Sequence, residues 1–221
     1  MLPSKQISAE LIDNMGTDLT VVNTACISYG AWSTDFGTRD AALVKFLAEH
    51  GHITPFRHPQ IQLRCRAPIF LARQVGKHQA GFSWNEVSRR YKDGEAIEVE
   101  LYIPDTVLQR PKSLMKDSAT AMPIDMANDA KALIYAASVA AVREYQTLLD
   151  YGVAPEQARM VLPQNMVTEW IWTGSLYGFA SLYNQRSTEH AQLEARMFAQ
   201  EINKIMSQLY PVCWGALTNK D

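Results

Sequence analysis

A single mixed α+β domain over residues 1–221 is the architecture this sequence predicts, and three observations predict it. Residues 60–67 alternate strictly, with Ile61, Leu63, Cys65 and Ala67 on one side and Gln60, Gln62, Arg64 and Arg66 on the other, the period of a half-buried strand. The second half carries apolar residues at helical spacing over long stretches, 128–151 and 191–209 above all. No internal repeat or low-complexity linker interrupts the 221 residues, and 47% of them are hydrophobic, enough for a sizeable core.

The elements follow in order. Residues 17–28, TDLTVVNTACIS, alternate and are rich in β-branched side chains, so a first strand is expected there. A Gly- and Ser-containing loop spans 29–38. Ala42, Leu43, Phe46 and Leu47 then place a helix at 39–50, with Gly51 as its C-terminal cap. After the 60–67 strand, Pro68 suits the first position of a short helix through Val75, which Gly76 ends. Residues 98–103 read as a further strand, followed by a Pro- and Lys-containing stretch with no assignable pattern. Residues 128–151 form a long Ala-rich helix with Asn128 as N-cap, Gly152 as stop and a stripe of Leu133, Ala137, Ala140, Ala141, Tyr145 and Leu148. Its alanines suit close helix packing between subunits. A short helix after Pro155 must end near Leu162, because Pro163 restricts the residue before it. Residues 166–173 read as a strand, and helices follow at 175–185 and 191–209, the last with Leu193, Met197, Ile202, Ile205 and Leu209 facing inward.

Charge is unevenly distributed. Residues 52–91 hold Arg57, Arg64, Arg66, Arg73, Lys77, Arg89 and Arg90 against Glu86 alone, a local charge of +6 in a chain whose net charge is −2. Confined clustering of this kind suits a small anionic ligand such as a phosphate, whereas a nucleic-acid polymer wants a wide basic surface. The first residues show no signal-peptide pattern, and no apolar run reaches the roughly 18 residues that spanning a membrane needs. A soluble, cytoplasmic protein is expected. Cys26, Cys65 and Cys213 are odd in number and lack CxxC spacing, so reduced, mostly buried thiols are expected rather than disulfides or zinc ligands. His50, His52 and His58 match no zinc signature, and no metal is expected.

The heptapeptide NEVSRRY, residues 85–91, sets a carboxylate, a hydroxyl and two guanidiniums within a short run. In an extended backbone Glu86, Ser88 and Arg90 point the same way and could hold a phosphate and a ligand donor; a solvated surface turn is the competing reading. Ser88 has no legible Ser-His-Asp arrangement around it, so a nucleophile role is not expected.

Together HITPFRH, RAPIFLARQ, WNEVSRRY, QARMVLP and NQRSTEHAQLE resemble the flavin-dependent thymidylate synthases, over roughly residues 51–195. The resemblance implies an α+β fold with a curved, mostly antiparallel sheet packed by long helices. It implies a homotetramer with active sites shared between subunits, binding FAD, NADPH, dUMP and methylenetetrahydrofolate, and reductive methylation of dUMP to dTMP. It assigns Arg186 the catalytic role of polarising the uracil, with Gln74, Lys77, Glu86, Ser88, Arg89, Arg90 and Arg159 also on dUMP. Facing FAD it sets His52, Thr54, Lys77, His78, Gln79, Glu86, Ser175, Ser181, Asn184 and His190. His190, four residues after Arg186, would share its face if the helix continues, and could orient the arginine or cap the last helix. For His52 and His58 the plainer reading is a bracket around the turn at Pro55.

The chain departs from the family pattern. Lys77-His78-Gln79 stands where Arg-His-Arg is usual, removing two forked donors that lysine and glutamine do not replace. Arg57 stands where an acid is frequent, and Ser175 and Ser181 where asparagines are common. Two alternatives follow: a folate-dependent 5-hydroxymethylase on the same scaffold, and a non-catalytic dUMP-binding homologue.

Overall fold

The computed structural model describes residues 6–88, 99–112 and 119–218. Arg89 and Arg90 lie outside them. The chain divides into two compact units, one drawing on residues 7–66, 73–85 and 169–221 and the other on 1–6, 67–72 and 86–168. No helix among the described residues is long and apolar enough to cross a membrane.

The fold is mixed α+β, with four strands in one antiparallel sheet of order β1-β2-β4-β3: β1 Ser8–Met15, β2 Gln60–Pro68, β3 Phe82–Glu86 and β4 Val167–Ser175. In β2 the alternating face read from the sequence is the buried one, since Ile61, Leu63, Cys65 and Ala67 are all inaccessible. The opposite face is not simply solvated. Arg64 and Arg66 share Glu169 of β4, at 3.0 and 3.6 Å, and the Gln62 amide donates to Thr173 at 3.2 Å. β1 pairs with β2 through a bulge at Ile12, between Leu11 and Asp13.

Residues 17–28 are not a strand. They form α1, Asp18–Cys26, behind the N-cap Thr17, whose backbone N–H donates to the Thr20 hydroxyl at 2.9 Å. Val21 and Val22 are buried side by side with Asp18, a helical pattern, and Thr24 returns its hydroxyl to the Thr20 carbonyl at 2.7 Å. Tertiary burial thus overrides the β-branched composition. The Asp18 carboxylate then accepts the backbone N–H groups of Val212 and Cys213, at 3.0 and 2.9 Å, which fixes the start of a last helix, Pro211–Thr218.

The helix α2 covers Thr38–Glu49, with Gly51 at φ +70 closing it as expected. Pro68 closes β2 rather than opening a helix: α3, Ile69–Val75, begins one residue later, where the Ile69 N–H bonds to the Met166 carbonyl. In place of a strand at 98–103, the described residues contain only a bridge between Leu101 and Met166. The long helix α4, Ile124–Asp150, starts after Pro123, four residues ahead of Asn128. Its buried positions are Ala127, Ser138 and Tyr145, whereas Leu133, expected to face inward, is 73% exposed. The helix α5, Pro155–Ala158, leads to a turn at Arg159–Val161 that ends before Leu162 and Pro163, as their restriction requires.

The helix α6 runs Leu176–Arg186 and α7 Leu193–Leu209; the last helix, Pro211–Thr218, is α8. The buried stripe of α7 is Ala195, Phe198, Ala199, Ile202 and Met206, with Met197 exposed, so the helix is rotated from the expected face. Phe198 joins an aromatic core in which Trp170 and Trp172 are almost fully buried. Trp84 stacks on Trp170 at 4.3 Å and Phe82 on Trp172 at 4.7 Å, and Phe82 meets Phe179 edge-on at 4.9 Å. Phe82 also lies flat against two glycines: a Cβ at Gly174 would overlap its ring, and one at Gly178 would sit 3.0 Å from its far edge.

Gly174→Ala is therefore expected to destabilise the protein by about 1–3 kcal/mol. Urea unfolding should show a lowered midpoint, partly recovered when Phe82→Leu is added.

Candidate functional site

The site is organised by α6. Ser175 caps it, its hydroxyl accepting the Gly178 N–H at 3.2 Å, and so ends β4 and starts the helix at one residue. Across from α6, the chain leaves α3 through Gly76 and turns at Gly81 (φ +78), with the Phe82 N–H bonded to the Gln79 carbonyl at 3.1 Å. This short turn carries Lys77, His78 and Gln79.

Between the turn and the helix lies a cavity of about 450 Å³. It brings together six of the residues named from sequence: Lys77, His78, Gln79, Ser175, Ser181 and Arg186. A larger cavity of about 1090 Å³ is bounded by residues of α2, α6 and α8, including Asn184. Tyr177, Ser181 and Gln185 line both, making α6 their common wall.

The smaller cavity is electropositive. Arg57, Lys77 and Arg186 line it, and no carboxylate among the described residues does. The Arg186 Nε donates to His78 Nε2 at 3.2 Å. An accepting Nε2 requires a neutral imidazole with its proton on Nδ1. Burial, and secondarily the Arg186 charge, holds the His78 pKa below the usual 6.5.

Other expected residues occupy other places. His190 is exposed and off the face of Arg186, because α6 ends at Arg186 itself; His78 is the arginine's partner instead, and Gln192 precedes α7 as its cap. Asn184 donates to the Leu217 carbonyl at 2.9 Å, tying α6 to α8. His52 and Thr54 are exposed, flanking Gly51 and Ile53 of the larger cavity. Gln74, on α3, has a buried Oε1 without a partner among the described residues. In the second unit, Glu86 accepts from the buried Thr168 hydroxyl at 2.7 Å, Ser88 is half-buried, and Arg159 is exposed with its Nε on the Glu156 carbonyl at 3.2 Å. Tyr177 and Gln185 were not among the residues named from sequence. Their spacing with Ser181, four residues each way, was the signal, since these positions share a helical face.

Residues 10–212 match the family model described as thymidylate synthase complementing protein. The chain belongs to this family. Its curated relatives are flavin-dependent thymidylate synthases: that of Thermosipho africanus is 36% identical over 204 residues, 91% of this chain and 86% of the relative. That of Thermus thermophilus is 35% identical over 206 residues, 93% of this chain and 73% of the relative. Among solved structures, the UMP/dUMP methylase PolB from Streptomyces cacaoi bound with 5-Br dUMP superposes with a TM-score of 0.86 at 30% identity, covering 96% of this chain and 94% of that one. The same methylase bound with 5-Br UMP gives 0.83. The flavin-dependent synthase family is thus the one resembled by the five motifs, and the cavity beside α6 holds the fifth motif's Arg186.

Replacing Arg186 by Ala removes the lesser of the two influences on His78 and leaves burial. An NMR titration should place the His78 pKa below 6.5 in the parent and higher, yet still below 6.5, in Arg186→Ala. Because the unfolded chain binds the His78 proton more readily, this group's contribution to stability is intact above pH 6.5 and is lost as pH falls through the lowered pKa.

Proposed function

We propose that this family member methylates C5 of dUMP to give dTMP, with methylenetetrahydrofolate as one-carbon donor and FAD, reduced by NADPH, as redox cofactor. The observation that carries the reading is the hydrogen bond from Arg186 to His78, which both line a cationic cavity with no carboxylate among its described lining residues. It joins the arginine that the family motif assigns to the nucleotide with the histidine assigned to the flavin.

The donor set suits a phosphate-bearing cofactor and substrate: two guanidiniums, an ammonium, the Ser175 and Ser181 hydroxyls and the Gln185 amide all line one space. Bound flavin would supply the hydride. Lys77 and Gln79 hold the cofactor in this reading, with His52 and Thr54 toward the larger cavity. Arg186, held at Nε by His78, keeps two further nitrogens for the pyrimidine. A guanidinium beside the uracil favours ionisation at N3 and shifts electron density to C5, which makes that carbon nucleophilic without a covalent adduct. Among the described residues no cysteine lines either cavity, and burial pushes the Cys65 and Cys213 thiols well up, so charge rather than a thiolate does the activating. Arg90, Arg159, Ser88 and Gln74 take the phosphate and sugar. A cytoplasmic homotetramer with shared sites belongs to the same reading, supported by the free thiols and by the exposed Ile124, Leu133 and Tyr135 of α4. A second reading, methylation of UMP as well as dUMP, is supported by the resemblance to a UMP/dUMP methylase.

Incubation with FAD, NADPH, methylenetetrahydrofolate and either dUMP or UMP, with the product identified by mass, tests both. A methylated dUMP is expected; a hydroxymethyl product, or no conversion, overturns the main reading, and unmodified UMP overturns the second. Arg186→Ala should lower kcat by about 100-fold or more with flavin content unchanged, whereas Arg159→Ala should raise KM for dUMP.

A further inference from the structure

We propose that Arg57 is a ligand-binding residue of the cationic cavity, where its guanidinium grips a phosphate group of the bound nucleotide or dinucleotide. The inference rests on the reading that this cavity takes such ligands.

The backbone that carries Arg57 is fixed from both sides. It ends the turn Pro55–Arg57, whose Pro55 and Phe56 are buried, and its N–H bonds to the Thr54 carbonyl at 3.0 Å. Its own carbonyl accepts the Gln60 amide at 2.8 Å, and two residues on, the Pro59 carbonyl accepts the Leu176 N–H at 3.1 Å, where α6 begins. The arginine is therefore presented from an anchored turn beside α6.

Its side chain has no such commitment. Among the described residues the Arg57 guanidinium has neither carboxylate nor hydrogen-bond partner, although it lines the cavity with Lys77 and Arg186. Arg64 and Arg66, in the same basic segment, are each paired with Glu169. Three cations line one cavity with no acid among its described lining residues, and the natural counter-charge is a ligand anion. Arg186 already directs Nε at His78, and Lys77 is a single point charge. Arg57 alone brings an uncommitted planar fork, which matches the paired oxygens of a phosphate.

Two phosphates could meet it, that of dUMP and the diphosphate of FAD, and ligands with and without them separate the cases. Affinities of Arg57→Gln, Arg57→Lys and the parent should be measured for dUMP, deoxyuridine, FAD, riboflavin and inorganic pyrophosphate, with folding checked by thermal melting. We expect Arg57→Gln to weaken either dUMP or FAD about tenfold, Arg57→Lys to be intermediate, and riboflavin and deoxyuridine to be unaffected. Which of the two weakens names the phosphate. Unchanged affinity for both dUMP and FAD overturns the assignment, as does an equal loss for the phosphate-free ligands. If the parent converts no nucleotide but binds pyrophosphate in an Arg57-dependent way, the proposed function fails and the role of Arg57 stands.

Discussion

The ring of Phe82 lies against bare backbone at Gly174 and Gly178, and there is no room there for a side chain. That one contact seats the first residue of β3 on the end of β4 and on the first turn of α6. The rest of the candidate site inherits its geometry from it. With β4 ended at Ser175 and its hydroxyl capping α6, the direction of the helix is set, and with it the positions of Tyr177, Ser181, Gln185 and Arg186. The turn that presents Lys77, His78 and Gln79 leads directly into Phe82, so both sides of the cavity are referred to the same ring. The stacked Trp172 and edge-on Phe179 make that ring hard to displace, each aromatic pair adding roughly 0.5–1.5 kcal/mol beyond area burial.

Charge is confined as closely as shape. The basic residues of the first half do not act as one group, because Arg64 and Arg66 share Glu169 on the sheet. A second group, Arg57, Lys77 and Arg186, lines the cavity with no carboxylate among its described lining residues, and His78 stays neutral beside it. A field confined in this way selects a small anion over a polymer, since a polyanion gains most from charge spread along its length. Neutral His78 also makes Arg186 a directed donor rather than a free charge, fixing one of its nitrogens by a bond that a protonated ring could not accept.

What the sequence disclosed depended on whether local pattern and burial agreed. The 60–67 strand was legible because its alternation is enforced by burial on one face alone. Residues 17–28 misled because Thr20, Val21, Val22 and Thr24 are β-branched, yet two of these hydroxyls find partners inside a helix and the valines are buried at adjacent helical positions. On α4 the apolar stripe predicted through Leu133 is exposed at that residue, because an Ala-rich helix has too little contrast between faces to specify which one is buried. At the site, the family resemblance points to Lys77, His78, Ser181 and Arg186, which line one cavity, but the partnership of Arg186 with a residue 108 positions away has no local trace, and His190 lies beyond the end of the helix.

The bulge at Ile12 has a meaning outside the site altogether. β1 is an outer strand of the sheet, and Leu11, Ile12 and Met15 are all substantially exposed along it. A flat strand of that composition would offer a second molecule a ready template for cross-β growth. The extra residue instead throws the strand out of register midway, with Glu10 and Asp13 carrying negative charge on either side. A newcomer could align with only half of the edge before meeting a kink and like charge, so this edge is guarded against strand-to-strand growth.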